Sequence, residues 1–148
     1  MDNRTHETPA ELAGLLEEIA VSLAEMAEAR RVQLQLQFAP TPVWLQHETS
    51  QLRNNLRVFA ENMILIAEAG SVIRIYMDTT DRQCIIEMLG NGRATGIDRL
   101  HAYFLDEENI FRTGLATAKK YVEDNDGELR YASHEHSGNH FRVKFNMR

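Results

Sequence analysis

The sequence lacks the features of disulfide-stabilised and membrane-spanning proteins. Cys84 is the one cysteine among 148 residues, so no intramolecular disulfide can form, and its apolar neighbours predict a small buried side chain. No apolar run approaches the roughly 20 residues that a membrane helix requires. The opening stretch, MDNRTHETPAEL, is polar and acidic, unlike a secretory signal. We therefore expect a cytoplasmic protein, or the cytoplasmic piece of a larger one, with no membrane insertion of this segment.

Positive charge is also scarce. The chain has 16 lysines and arginines against 22 aspartates and glutamates, a net charge of -6. Nucleic acids and anionic membranes are bound through a basic surface, so this balance argues against either as the main partner. The hydrophobic fraction of 43% and the charged fraction of 26% are those of a globular domain with a core.

The first third of the chain predicts one long helix and two strands. Apolar residues recur at helical spacing over about residues 9–30, with Thr8 as N-cap, Pro9 in the first turn and Glu11 as the capping-box acid. The stretch VQLQLQF then alternates apolar and polar residues, which is typical of a half-solvated strand. VWL follows two prolines and predicts a short edge strand.

The rest of the chain predicts three further helices and four strands. Ser50 is the expected cap of the next helix, and Gly70 its end. SVIRIYM and RQCIIEML predict a hairpin joined by DTTD, and ELRYAS and HFRVKFNM predict the last two strands. The intervening helices are expected from Asp98 to about Leu105 and from Thr113 to Asp124. This order predicts a single α+β domain, residues 9–148, after a polar tail, residues 1–8. In this two-layer sandwich about three helices pack on one face of a mixed sheet.

Five stretches, in their order and spacing, resemble a known family. They are LAGLLEEIAVSLAEMAEARRVQLQLQF, LRNNLRVFAENMILIAEAGSVIRIYM, CIIEMLGNGRATGIDRLHAYF, RTGLATAKKYVEDNDGELRYAS and SGNHFRVKF. They are similar to the opening helix and strand, the N-box helix, the two glycine boxes and the closing strand of the ATP-binding domain of sensor histidine kinases, the GHKL or HATPase family. The resemblance covers nearly the whole chain from about Leu12. It implies a Bergerat-type ATP-binding fold and a role in bacterial two-component signal transduction.

The resemblance also implies positions for nucleotide-binding residues. Asn62 matches the magnesium-binding asparagine of the N box, but Val58 and Leu65 stand where the family carries polar or charged residues. Gly90 matches the aspartate that accepts the adenine amino proton, and glycine has no side chain for that task. Gly92 matches the first glycine of the loop, and Gly114 matches a glycine of the second box.

Other departures surround these positions. Ala94 stands for the loop's second glycine, and Arg112 for a glycine of the second box. The segment between Phe104 and Phe111 is shorter than the family's lid, and its DEEN carboxylates would repel a triphosphate. Arg93 and Arg112 are expected to pair with Asp106, Glu107 or Glu108. If the alignment with the family is shifted near Gly90, another carboxylate would have to take the place of the adenine-binding aspartate. Glu87, three residues earlier, is the nearest one.

These positions lead to one functional prediction and two alternatives. The prediction is a divergent histidine-kinase ATPase-like domain, an inactive or weak enzyme with no cofactor, that serves as a protein-docking or regulatory module. Its partner would be a kinase, a phosphotransfer protein or a response regulator. The first alternative is a functional catalytic domain of a sensor histidine kinase that binds ATP and Mg²⁺ through Asn62. The second is an anti-sigma-factor-like serine kinase.

The histidines carry weaker hypotheses. His134, His136 and His140 cluster in the last predicted hairpin, where a solvated turn is a better interpretation than a metal site. His47 and His101 are expected at the surface. HETP at His6 echoes a phosphoacceptor box, but the sequence before residue 9 has no room for the helical hairpin that normally carries it.

Overall fold

The structure, a computed structural model, describes residues 10–105, 114–135 and 137–147. Seven strands and five helices occur in these residues. In chain order they are β1 (Ala10–Glu11), α1 (Leu12–Ser22), α2 (Ala24–Ala29), β2 (Gln33–Phe38), β3 (Trp44–Leu45), α3 (Thr49–Ile66), β4 (Val72–Thr80), β5 (Gln83–Gly90), α4 (Ile97–Leu105), α5 (Leu115–Asp124), β6 (Glu128–His134) and β7 (Gly138–Asn146).

Five strands form a mixed sheet in the order β2-β4-β5-β7-β6. β2 runs parallel to β4, and the other neighbours are antiparallel. The alternation seen in the sequence sets the two faces, because successive side chains of a strand point to opposite sides. The residues buried on the inner face include Ile73, Ile75, Met77, Cys84, Ile86, Met88, Phe141, Val143 and Phe145.

The helices cover this inner face and close the core. Leu52, Leu56, Phe59 and Met63 of α3 are buried, and α3 contacts α1, α5 and β5. The two-layer α+β class predicted from the sequence is therefore confirmed. In the described residues, no helix is long and apolar enough to cross a membrane.

The first predicted helix starts later than expected and is divided. Glu11 is the N-cap, since its carboxylate accepts hydrogen bonds from the backbone N–H groups of Ala13 and Gly14 at 3.0 and 2.9 Å. Ala10 and Glu11 instead pair with Leu45 and Trp44, so VWL does contain a strand. The chain leaves helical geometry at Leu23, between α1 and α2. Thr8 and Pro9 lie outside the described residues.

The bounds of the second predicted helix also need correction. Glu48, not Ser50, is the N-cap, because its carboxylate accepts hydrogen bonds from the N–H groups of Ser50 and Gln51 at 3.0 and 3.1 Å. The helix ends at Ile66, before Gly70. In the following hairpin, β4 extends to Thr80 and β5 begins at Gln83, so most of the expected DTTD turn is strand.

Candidate functional site

Asn62 projects from the buried side of α3. Its side chain is 2% exposed, and its Nδ2 donates a hydrogen bond to the backbone oxygen of Val58 at 2.8 Å. This is the bond to nearby backbone that a polar residue within a helix commonly forms. Its Oδ1 is buried and has no hydrogen-bond partner among the residues that the structure describes. One carbonyl oxygen is therefore the part of this side chain left for a ligand.

Gly90 ends β5 and lies against α3. A Cβ atom at Gly90 would lie 3.6 Å from Cε of Met63 and 4.0 Å from Cγ1 of Ile73, which are ordinary packing distances. The cavity beside it has a volume of only about 10 Å³, with Met63, Glu68 and Asn139 among its walls. A space of this size holds at most one water molecule.

Gly92 is packed against the segment after α3. A Cβ atom there would lie only 3.0 Å from the Cβ atoms of both Glu68 and Ser71, so any larger residue would push the loop outward. The Glu68 carboxylate also accepts a hydrogen bond from the backbone N–H of Arg93 at 3.0 Å. The glycine thus serves the close packing of the loop, and the exposed side chain of Glu68 lies beside it.

Asn139, which is not among the predicted site residues, adds further contacts that hold the glycine loop. Its side chain is 4% exposed, and its Oδ1 accepts hydrogen bonds from Thr95 N, Thr95 Oγ1 and Ser133 Oγ at 3.2, 3.1 and 2.8 Å. Ser133 Oγ also accepts a hydrogen bond from the N–H of Gly96 at 2.9 Å. The signal was present, because Asn139 shares the inward alternation of Phe141 in β7. These bonds hold the glycine loop against the end of β6 and the start of β7.

Gly114 is the N-cap of α5, with a φ of 105° that side-chain-bearing residues rarely adopt. A Cβ atom there would lie 3.4 Å from both methyl groups of Val58. An apolar side chain of α3 therefore faces the start of α5. The expected lid, Arg112 and its acidic partners Asp106, Glu107 and Glu108 lie outside the described residues.

The predicted glycines are brought together along α3 and the residues just after it. Gly114 faces Val58, Gly90 faces Met63, and Gly92 faces Glu68. Gly90 and Gly92 both border the cavity of about 10 Å³, and Gly114 is not among its walls. A cavity of about 360 Å³ does lie beside the loop, next to Arg93, Thr95 and Arg99, but Asn62, Gly90 and Gly114 are not among its walls.

The structure corrects the expectations for Glu87 and His47. Glu87 lies on the outer face of the sheet, where its Oε2 is 3.0 Å from Nε2 of His140, so it does not approach Gly90. His47 is buried at 9% exposure, and its Nδ1 lies 2.6 Å from the hydroxyl of Tyr121. Burial lowers the pKa of His47 and raises that of Tyr121 to about 12.

The remaining histidines that the structure describes, His101, His134 and His140, lie outside any group of metal ligands. Among the described residues, no three His, Cys, Asp or Glu side chains are grouped as metal ligands. His101 is exposed, as expected, and its Nδ1 lies 2.5 Å from the hydroxyl of Tyr131. His134 is also exposed, but it is the last residue of strand β6 and not part of a turn, while His136 and His6 lie outside the described residues.

The chain has structural relatives among known proteins but no relatives detected by sequence. No protein-family model and no curated protein sequence matches the chain. Its structure is similar to the nucleotide-free catalytic domain of histidine kinase ThkA, with a TM-score of 0.81 at 15% identity over 94% of each chain. ThkA in complex with the response regulator protein TrrA also matches, with a TM-score of 0.76 at 15% identity over 95% of this chain and 42% of that chain.

Two longer kinases give the same result. The chain matches the Acinetobacter baumannii histidine kinase AdeS with a TM-score of 0.74 and 16% identity, over 95% of this chain and 66% of AdeS. Full-length ShkA in complex with AMPPNP matches with a TM-score of 0.78 and 18% identity, over 95% of this chain and 31% of ShkA. At these identities the likeness establishes the fold, and the chain therefore has the fold of a histidine kinase catalytic, or ATPase, domain.

Proposed function

We propose that this histidine-kinase-like domain acts in two-component signalling as a protein-docking or regulatory module that binds ATP weakly or not at all. The observation that carries the proposal is the closed space at Gly90. A cavity of about 10 Å³ bounded by Met63, Glu68 and Asn139 has no room for a purine, since ligand pockets typically measure about 300–1,000 Å³.

The polar chemistry of this space also does not fit a nucleotide. Gly90 supplies no acceptor for an adenine amino group, and a buried polar edge without a partner costs about 1–3 kcal/mol. Glu68 presents a carboxylate where it accepts the Arg93 N–H, and this negative charge opposes a phosphate. For magnesium, Asn62 offers one oxygen, while the ion requires near-octahedral oxygen coordination.

A calorimetric titration with ATP and Mg²⁺ tests the proposal. We expect no binding with a dissociation constant below about 5 mM, because neither the purine nor the metal has a complete set of contacts. Asn62→Ala is then expected to change nothing in the titration. Asn55→Ala is the matched control, since Nδ2 of Asn55 makes the same bond to the backbone of α3, 2.8 Å from the oxygen of Gln51.

The alternative, an ATP-binding catalytic domain, is favoured by the free Oδ1 of Asn62 and by the AMPPNP complex of the structurally similar ShkA. It requires the wall formed by Met63 and Asn139 to move. Micromolar ATP binding that Asn62→Ala abolishes and Asn55→Ala preserves would establish this alternative and reject the docking proposal.

The docking role has its own test. The ThkA complex with TrrA suggests response regulators as the first candidates, with histidine kinases and phosphotransfer proteins next. We expect one purified candidate to bind the domain with the same affinity in the presence and absence of ATP and Mg²⁺, as measured by biolayer interferometry. Binding to every such partner only when nucleotide is present would contradict the proposal.

A further inference from the structure

The two edge strands of the sheet differ in the way they are protected. β6 forms one edge and carries the exposed charged residues Glu128 and Arg130, whose side chains form an ion pair at 3.3 Å. β2 forms the other edge and contains no charge, no proline and no glycine in its six residues, QLQLQF. Charges, prolines and bulges are the usual devices that prevent an edge strand from pairing with another chain. β2 has none of them.

The backbone of β2 presents a free hydrogen-bonding row. The N–H of Gln33 donates to Ser71 and that of Ala39 to Met77, at 3.1 and 2.9 Å, both toward β4. Because N–H directions alternate along a strand, the N–H and C=O groups of Leu34, Leu36 and Phe38 face the opposite side. No strand pairs with that side among the residues that the structure describes.

A largely apolar groove lies beside this open edge. It has a volume of about 610 Å³, and its walls include Ala20, Val21 and Ala24 of the α1–α2 region and Leu34 and Leu36 of β2. The charged residues Glu28 and Arg31 also line it. Val21 is 77% exposed, although it is an aliphatic residue. A strand added to β2 would direct every second side chain into this groove.

We propose that β2 pairs with β2 of a second copy of this chain, in antiparallel orientation around a two-fold axis at Gln35. The two five-stranded sheets then form one continuous sheet of ten strands. In this register Leu34 lies opposite Leu36 of the second copy on the inner face, and Gln33 lies opposite Gln37 of the second copy on the outer face. In this register leucine lies opposite leucine and glutamine opposite glutamine. A second copy of β2 is therefore a matching partner for β2 itself.

The chemistry of both faces suits this self-pairing. The glutamines are exposed, and each carboxamide both donates and accepts hydrogen bonds, so glutamine pairs with glutamine across the axis. The leucines from the second copy enter the groove that contains Leu34 and Leu36. Leu34 and Leu36 also exchange four backbone hydrogen bonds in two symmetric pairs, which is the pattern of an antiparallel ladder.

Sedimentation over a range of protein concentrations tests the dimer. The unmodified chain is expected to show a reversible monomer–dimer equilibrium. Gln35→Lys places two like charges opposite each other at the axis and should weaken dimerisation by at least about tenfold. Gln51→Lys is the control, because Gln51 is exposed on α3, away from the edge, and should leave the equilibrium unchanged.

Cross-linking tests the register independently of any loss of stability. Opposite residues in a non-hydrogen-bonded antiparallel pair have Cα atoms about 4.5 Å apart, within the range that a disulfide spans. Gln35→Cys should therefore form a disulfide-linked dimer under mild oxidation, while in Gln33→Cys the two introduced thiols lie about 14 Å apart along the strands and stay reduced. Cys84 is fully buried and does not compete.

A monomer at every concentration would overturn the proposal. A dimer that survives Gln35→Lys, together with a Gln35→Cys variant that does not cross-link, would also overturn it, because that dimer uses another surface.

Discussion

At the residue scale, substitutions at Gly90 test whether the small cavity beside it stays closed in solution. Its Cβ position is open at ordinary packing distances, so Gly90→Ala should change the free energy of unfolding by no more than about 1 kcal/mol. Gly90→Asp should cost about 3 kcal/mol or more, since the carboxylate would be buried against Met63 and Ile73 without a partner. Urea denaturation of both variants at pH 7 measures the difference. Equal stability of the two variants would mean that the space opens to solvent.

His47 links the stability of the domain to pH. Burial lowers its pKa from 6.5, so below that pH the unfolded state binds a proton that the folded state does not. The contribution of neutral His47 is fully present above pH 6.5 and is lost as the pH falls toward its folded-state pKa. We expect stability to decline in this interval, and His47→Gln to reduce the slope. His134→Gln, at an exposed histidine, is the control and should not.

The contact between His47 and Tyr121 shows why some residues could not be assigned from sequence. Nothing local to His47 indicates burial, since its partners Tyr121 and Phe145 are distant in the chain and the Phe145 ring lies 4.8 Å away, edge-on. Tertiary packing alone decides that this histidine is inside. The phenol of Tyr121, with a pKa raised to about 12, stays neutral and keeps its hydroxyl proton for this contact.

At the scale of elements, the periodicity of apolar residues predicted the middle of helices and strands better than their terminal residues. The alternation of VQLQLQF correctly indicated a half-solvated strand, because Leu34, Leu36 and Phe38 are half-buried on one face while the glutamines are exposed on the other. Helix ends were less accurate, since Glu11 and Glu48 act as caps although serine and threonine are the more usual signals. Cap choice depends on which side chain meets the free N–H groups, and spacing alone does not reveal this.

The candidate site shows the same limit. The resemblance identified Gly90, Gly92 and Asn62 as the relevant positions, and the structure places the two glycines against α3, which carries Asn62, and the turn that follows it. The resemblance could not indicate that the space around these glycines is filled, because this depends on Asn139 and Glu68. These side chains reach the loop from a different strand and from the turn after α3. Contacts between segments distant in sequence thus determine whether the same glycines line a ligand pocket or pack tightly against neighbouring side chains.

At the scale of elements, the close approach of Gly138 in β7 to Gly90 in β5 leads to a testable prediction. A Cβ atom at Gly138, which has a φ of 84°, would lie 1.9 Å from the backbone oxygen of Gly90, so the strands could not remain in register. Gly138→Ala should cost about 3–5 kcal/mol, the sum of backbone strain and a steric clash. Gly70→Ala is the matched control, because Gly70 has a φ of 89° but nothing within 4 Å. It should cost only about 1 kcal/mol, and chemical denaturation would show the two variants as equal if the close approach were absent.

At the scale of the whole molecule, ligand binding and folding are coupled. A ligand that binds only the folded chain raises its stability by RT ln(1 + [L]/Kd), so melting temperature reports on ATP without any assumption about the binding site. With about 5 mM ATP and Mg²⁺, a Kd near 10 μM would add about 3.7 kcal/mol, while a Kd of about 5 mM or weaker adds at most about 0.4 kcal/mol.

These energies convert to clearly different melting temperatures. For a chain of this length each kcal/mol shifts the midpoint by about 2–4 °C, so micromolar binding would raise it by about 7–15 °C. We expect a rise of less than about 2 °C by differential scanning calorimetry, because the closed space at Gly90 leaves no complete purine contact. Magnesium chloride with sodium sulfate at equal ionic strength serves as the control for nonspecific salt effects. A shift near 10 °C with ATP alone among these additions would mean that the folded domain binds the nucleotide with micromolar affinity, and the docking proposal would then be rejected.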